Sequence, residues 1–142
     1  MRINNPSLLT MNFTIESRLS KMYQNMQENY LKNQVMSASP NKLIEMLLEG
    51  AVKRIRQGTL MIENENMIKA SEQTIRAQDI VMELRYSINT EVESQIPQDL
   101  IDLYEYMYDR LVLANIDKDV TILAEVQNLL TELLDTWKQL SI

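Results

Sequence analysis

Acid–base chemistry in this chain would depend on carboxylates, because the sequence contains no histidine and no cysteine. Histidine is the commonest general base and the commonest metal ligand, and without cysteine neither a disulfide nor a zinc knuckle can form. Two carboxylate pairs have suitable spacing: Glu45 with Glu49, one helical turn apart, and Glu91 with Glu93. Both pairs are also typical of a solvated helix face or a polar loop, and we favour that interpretation.

Other catalytic patterns are missing from the sequence as well. No glycine-rich loop could hold a phosphate, and no Ser-His or Cys-His arrangement is available. The absence of histidine also excludes the Glu-x-x-His pairs of a di-iron bundle and a histidine-ligated haem. Arg76 and Asp79 lie three residues apart on a predicted helix, and a local ion pair explains them without a catalytic role. We therefore predict a binding protein that needs no metal and no cofactor, and we disfavour an enzyme.

The composition indicates a helical domain of ordinary size. The chain has 142 residues, 45% of them apolar, with only two glycines and three prolines. These proportions favour long helices in a single core. The net charge of −6 argues against nucleic-acid binding. Charges interrupt every long apolar stretch and no secretory signal is present, so we expect a soluble cytoplasmic protein without membrane insertion.

Apolar periodicity predicts four helices after residue 36. Their expected ranges are about 40–64, 67–89, 97–115 and 120–140. Ser39 followed by Pro40 is a helix start signal, and Asn115 is predicted to end the third helix in the left-handed conformation. Polar turns at 64–66 and 117–119, the second with an aspartate to cap the fourth helix, force neighbouring helices to run antiparallel. The predicted fold class is an all-α, up-down antiparallel four-helix bundle over residues 36–142.

The second helix is expected to bury all its large aliphatic side chains. Its predicted apolar positions are Ile68, Ile75, Ala77, Ile80, Val81, Leu84 and Ile88. The first helix contains two glycines, Gly50 and Gly58, each of which weakens a helix by about 1 kcal/mol relative to alanine. Either they are tolerated sequence drift, or another backbone approaches the helix there.

The third helix carries more apolar surface than one face can hold. One stripe consists of Leu100, Tyr104, Met107, Leu111 and Ala114, and a neighbouring stripe of Ile101, Tyr108 and Val112. Two stripes indicate either a central helix that packs on two sides or a helix that keeps one side for a partner. We expect Leu100 and Met107 to be mainly core.

Residues 1–35 are predicted to be a flexible tail followed by an amphipathic arm. The narrow apolar stripe of the arm consists of Ile15, Leu19, Met22, Met26 and Tyr30. Such a helix is marginal in water and must dock on another surface. Residues 1–35 carry a net charge of +2 and the remainder −8, so the arm is attracted to the bundle.

Several motifs, in order and correctly spaced over residues 28–140, resemble the flagellin-specific export chaperones, the FliS family. They are Asn33-Gln34-Val35, Ser37 to Leu47, Glu49-Gly50-Ala51, Arg76 to Leu84, Leu103 to Met107, Arg110-Leu111, Ala114-Asn115, Glu125-Val126 and Trp137-Lys138. The chain departs from the family pattern in about 20 extra residues before Tyr30 and in Asp109, which replaces the first of two arginines.

The resemblance implies a cytoplasmic chaperone that binds the disordered C-terminal segment of flagellin, prevents premature polymerisation and assists delivery to the flagellar type III export gate. The client groove is then expected to include Tyr104, Tyr108, Leu111, Val112, Asn115 and Ile80. The resemblance also implies that Met26 and Tyr30 belong to a covering segment. The protein would be a monomer or dimer. The alternative is a self-associating helical adaptor that does not bind flagellin.

Overall fold

The computed structural model describes residues 38–88 and 95–140, and all regular structure in these two ranges is helical. The four helices are α1 (Pro40–Glu63), α2 (Met67–Tyr86), α3 (Gln95–Asp117) and α4 (Val120–Leu140). Helices α1 and α3 each pack against both α2 and α4. The all-α four-helix bundle is thereby confirmed. The predicted arm, with Met26 and Tyr30, lies outside the described residues.

Side chains in the turns end and restart the helices as the sequence indicates. Glu65 takes the left-handed conformation, with φ 60°, between α1 and α2. The side chain of Asn66 caps α2 by accepting a hydrogen bond of 3.2 Å from the Lys69 N–H. Asp119 caps α4, because its Oδ1 accepts from the N–H groups of Thr121 at 2.9 Å and Ile122 at 3.3 Å. The predicted aspartate cap is confirmed.

Two predicted helix boundaries were wrong. Helix α2 ends at Tyr86, where the Ser87 hydroxyl donates to the Leu84 carbonyl over 2.6 Å. Helix α3 continues past Asn115 to Asp117, and Lys118, with φ 51°, takes the left-handed conformation instead. Lys118 can end the helix because its Nζ donates to the Asn115 backbone oxygen at 2.6 Å and to Asn115 Oδ1 at 3.0 Å.

The core lies along the axis of the bundle and receives side chains from all four helices. Its fully buried large members are Leu48 and Ile55 of α1, Val81 and Leu84 of α2, Met107 and Leu111 of α3, and Leu123, Val126 and Leu130 of α4. At one end, the Trp137 indole N–H donates to the Asn41 carbonyl over 2.9 Å and joins α4 to the start of α1. No described helix is long and apolar enough to cross a membrane.

Helix α2 buries Ala77, Val81 and Leu84 of the predicted stripe together with two small residues outside it, and it exposes two of the predicted isoleucines. Its buried positions are Ala70, Thr74, Ala77, Val81 and Leu84. Ile68 and Ile75, predicted to be core, are 76% and 47% exposed. The small residues allow α1 and α2 to pack closely, and the helical period then turns these two isoleucines away from the core.

The two glycines of α1 have different environments. A methyl group added at Gly58 would lie 3.1 Å from Thr74 Oγ1 and 3.8 Å from the Ala70 carbonyl oxygen of α2. The Thr74 hydroxyl is held by a 2.8 Å hydrogen bond to that same carbonyl. A methyl group at Gly50 would meet only the flexible end of Ile80, at 3.5 Å. A tight contact with the Thr74 side chain of α2 therefore explains Gly58, and no comparable contact explains Gly50.

Alanine at these two positions should have opposite effects on stability. Gly50→Ala should raise the free energy of unfolding by about 0.5–1 kcal/mol, because alanine favours the helix and the added methyl group is accommodated. Gly58→Ala should lower it by about 1 kcal/mol, because overpacking against Thr74 outweighs the same helical gain. Urea unfolding of both variants tests this. Equal changes would show that α1 and α2 are not in close contact at Gly58.

Candidate functional site

Three tyrosines at alternate positions of α3 have three different environments, although Tyr104 and Tyr108, four residues apart, are neighbours on one face and Tyr106 lies on the opposite one. Tyr104 is buried in the core and only 4% exposed. The Tyr106 hydroxyl donates to Glu125 of α4. Tyr108 is half-buried, and its spacing from Glu105 places it on the side that faces α2, since Glu105 bonds Arg85. Helix α3 therefore packs against α2 on one side and α4 on the other, and contributes to the surface beside each.

The seam between α3 and α4 is closed by a polar network. Glu125 accepts hydrogen bonds of 2.7 Å from the Tyr106 hydroxyl through Oε2 and from Arg110 Nε through Oε1. These two bonds, that of Arg110 first, lower the pKa of Glu125. Arg110, which follows the unusual Asp109, is thus bonded within the bundle. Both oxygens of the carboxylate are occupied, so this seam offers little to a partner.

The seam between α2 and α3 has a different character. Arg85 Nε bonds Glu105 Oε1 at 3.2 Å and fixes the level at which the two helices meet. Because α2 and α3 run antiparallel, Met82 lies at the same height along the bundle as Tyr108. Gln78 lies at the same height as Val112, about 10 Å along the helix axis from the Arg85–Glu105 pair. One turn beyond, Ile75 comes level with Ile116. We call this set of six residues the α2–α3 face: Ile75, Gln78, Met82, Tyr108, Val112 and Ile116.

The α2–α3 face presents apolar side chains to solvent. Ile75 is 47% exposed and Ile116 is 72% exposed, while Met82, Tyr108 and Val112 are half-buried. Two further exposed apolar residues, Ile68 and Leu113, belong to the same two helices. Exposed and half-buried apolar side chains along the junction of two antiparallel helices are a surface that can receive an amphipathic helix.

The structure divides the predicted groove residues among different environments. Tyr108 and Val112 lie on the α2–α3 face. Tyr104 and Leu111 are in the core and absent from the surface, because the rotation of α3 directs the first stripe inward. Asn115 is half-buried with its side chain bonded to Lys118.

The sixth predicted residue, Ile80, does not join the others. It packs on the core near Gly50 at the seam of α1 and α2. Two residues along a helix correspond to about 200° of rotation, so Ile80 and Gln78 point to different sides of α2. The predicted groove did not include Ile75 and Ile116, which the structure exposes beside Tyr108 and Val112. Their apolar character was visible, but only the buried small residues of α2 show that Ile75 faces outward.

The paired carboxylates of α1 form surface ion pairs. Glu45 bonds Lys42, which lowers the pKa of Glu45, whereas a general acid needs a raised pKa. Glu49 lies 4.0 Å from Lys138 of α4. Glu91 and Glu93 are outside the described ranges. Within those ranges no three acidic side chains cluster as metal ligands. The described carboxylates therefore stabilise the bundle surface.

Comparison with known proteins gives consistent matches over most of the chain. The family model for "Flagellar protein FliS" matches residues 22–142. The flagellar secretion chaperone FliS of Bacillus subtilis (strain 168) is 40% identical over 116 residues, covering 82% of this chain and 86% of that protein. The Salmonella typhimurium chaperone of the same name is 35% identical over 112 residues, covering 78% and 83%. The flagellar secretion chaperone FliSB of Pseudomonas aeruginosa is 32% identical over 121 residues, covering 85% and 96%.

Burial of Tyr104 predicts an alkaline loss of stability. Burial raises the pKa of Tyr104 to about 12, whereas an unfolded tyrosine titrates near 10. The stabilising contribution is complete below about pH 10 and is lost as the pH rises towards 12. Between pH 8 and pH 11 the wild type should lose about 1.4 kcal/mol more unfolding free energy than Tyr104→Phe. Urea unfolding at both pH values measures this, and identical losses would contradict the assigned burial.

Proposed function

The chain belongs to the FliS family, and from this membership we propose that it is a flagellar secretion chaperone whose client is flagellin. The structural observation that supports the proposal best is the α2–α3 face, where Ile75 and Ile116 remain exposed beside a complete core. Apolar side chains grouped at the surface mark interaction sites more often than apolar side chains that are exposed singly. The related chaperones named above are secretion chaperones of the flagellum.

The proposed binding mode is a helix-in-groove contact with the C-terminal segment of flagellin. That segment, disordered in the free monomer according to the family resemblance, would order its apolar side chains against Tyr108, Val112 and Ile116. Burial of apolar surface supplies the free energy, and ordering of the segment opposes it. A covered segment is unavailable to other flagellin molecules, which accounts for a role against premature polymerisation. We also propose that the chaperone acts in the cytoplasm and assists delivery of bound flagellin to the export gate.

Matched alanine variants test the proposed surface. Ile75→Ala and Ile116→Ala should each weaken binding of the flagellin C-terminal segment about tenfold, close to 1.4 kcal/mol, because part of a buried aliphatic side chain is lost. Leu60 is 47% exposed, as Ile75 is, and lies on α1, whose main neighbours are α2 and α4. Leu60→Ala should leave affinity unchanged. Titration calorimetry on the full chain measures all three.

The outcomes separate the proposal from its alternatives. If Leu60→Ala weakens binding and the other two variants do not, the client binds at α1 instead of the α2–α3 face. A wild-type chain that does not bind the segment but forms a dimer would favour the self-associating adaptor. Sedimentation of the unliganded protein distinguishes that case.

We further propose that the N-terminal arm covers the client surface in the free protein. The charge of +2 on residues 1–35, against −8 on the remainder, favours docking. The family resemblance places a covering tyrosine at Tyr30, and Met26 lies four residues before it in the sequence. Flagellin would displace the arm, so the arm lowers the apparent affinity by the fraction of time that the surface is open.

Removal of the arm should therefore tighten binding. If the arm covers the surface for about 90% of the time, a chain that starts at Val35 should bind the same segment about tenfold more tightly. Titration of both chains at equal salt concentration gives the ratio. Weaker binding by the shortened chain would show that the arm clamps the client, and equal affinity would show that it takes no part.

A further inference from the structure

One polar atom on the α2–α3 face has no hydrogen-bond partner. The side-chain oxygen Oε1 of Gln78 is buried and accepts no hydrogen bond, alone among the buried side-chain nitrogen and oxygen atoms of the described ranges. A buried acceptor without a donor is unfavourable, because it has lost its bond to water without a replacement. Such an atom in a packed seam needs an explanation.

The surroundings of Gln78 are apolar along the face. On α2 the neighbouring positions of the face are Ile75 and Met82, and Val112 of α3 lies at the same level. Methionine or leucine at position 78 would fill the seam without the unpaired acceptor, and the chain contains ten methionines. The packing of the bundle therefore does not account for an amide at this position.

We propose that Gln78 is a specificity-determining residue of the client-binding surface, whose amide oxygen accepts a hydrogen bond from the bound segment. This inference rests on the proposed function. An apolar helix on an apolar strip can slide by one turn with little change in buried area. One polar contact inside such an interface favours a single register, as a buried asparagine does in coiled coils.

The donor required is a neutral N–H or O–H group. An amide side chain, a serine or a threonine on the client helix supplies one without placing a charge in an apolar seam, which would be costly. Gln78 as a whole is half-buried, so its amide lies near the edge of the seam. Rotation of the long side chain between staggered rotamers turns the oxygen towards a segment lying on the face.

The test compares client affinity and stability in Gln78→Met, which keeps the side-chain length and removes the acceptor. The full-length variant should bind the flagellin C-terminal segment about fivefold to tenfold more weakly than the wild type, the size expected for one hydrogen bond. Its midpoint of urea unfolding without client should be equal to or higher than that of the wild type. Gln127→Met, the same substitution on α4, should leave affinity unchanged.

Two results would overturn the inference while leaving the proposed function intact. One is unchanged affinity of Gln78→Met while Ile75→Ala weakens binding. The other is a lower urea midpoint for Gln78→Met, because the amide would then serve the packing of the bundle itself. If neither Gln78→Met nor Ile75→Ala alters affinity, the client does not use the α2–α3 face and the inference falls. A wild-type chain that does not bind flagellin at all would instead refute the proposed function.

Discussion

The close approach of α1 and α2 determines which side chains of α2 are buried and which are exposed. Gly58 has no side chain, and an added methyl group would lie only 3.1 Å from Thr74 Oγ1 and 3.8 Å from the Ala70 carbonyl oxygen. This contact requires small residues on the inner side of α2. With that side fixed, the helical period leaves Ile68 and Ile75 no place in the core. The exposed apolar surface of α2 is therefore a consequence of tight packing elsewhere and does not reflect a poorly packed fold.

Helix α3 contributes the other half of the α2–α3 face. Its alternating tyrosines connect the core, α4 and α2 in turn, and each contact differs in chemistry. Burial holds Tyr104, a carboxylate holds Tyr106, and Tyr108 lies beside α2. At the α3–α4 seam both carboxylate oxygens of Glu125 are bonded. The α2–α3 seam has the Arg85–Glu105 ion pair at one level and, further along, apolar side chains and the unpartnered Oε1 of Gln78. This contrast between two adjacent seams favours the second as the site for an apolar client.

Much of the fold could be predicted from local patterns, and the orientation of the helices could not. Pro40 and Asp119 mark helix starts by their own chemistry, so α1 and α4 were located closely. In α2, hydrophobicity ranks isoleucine above alanine and threonine, whereas a close helix contact requires the reverse. In α3, two adjacent stripes are equally apolar, and Tyr104 and Tyr108, four residues apart, differ by only about 40° around the helix, so a small rotation decides which of them reaches solvent. Only tertiary contacts settle that rotation. Family motifs located the function, but spacing alone did not separate Gln78 from Ile80, two residues away on another side.

The most direct test of the account is a map of the client contact on the folded chaperone. Methyl NMR of isoleucine- and leucine-labelled protein, with and without the flagellin C-terminal segment, reports on each exposed side chain separately. The account predicts that the methyl signals of Ile75 and Ile116 shift on binding, while those of Leu60 and Leu140, exposed on α1 and α4, stay in place. Shifts confined to Leu60 and Leu140, with Ile75 and Ile116 unchanged, would contradict it.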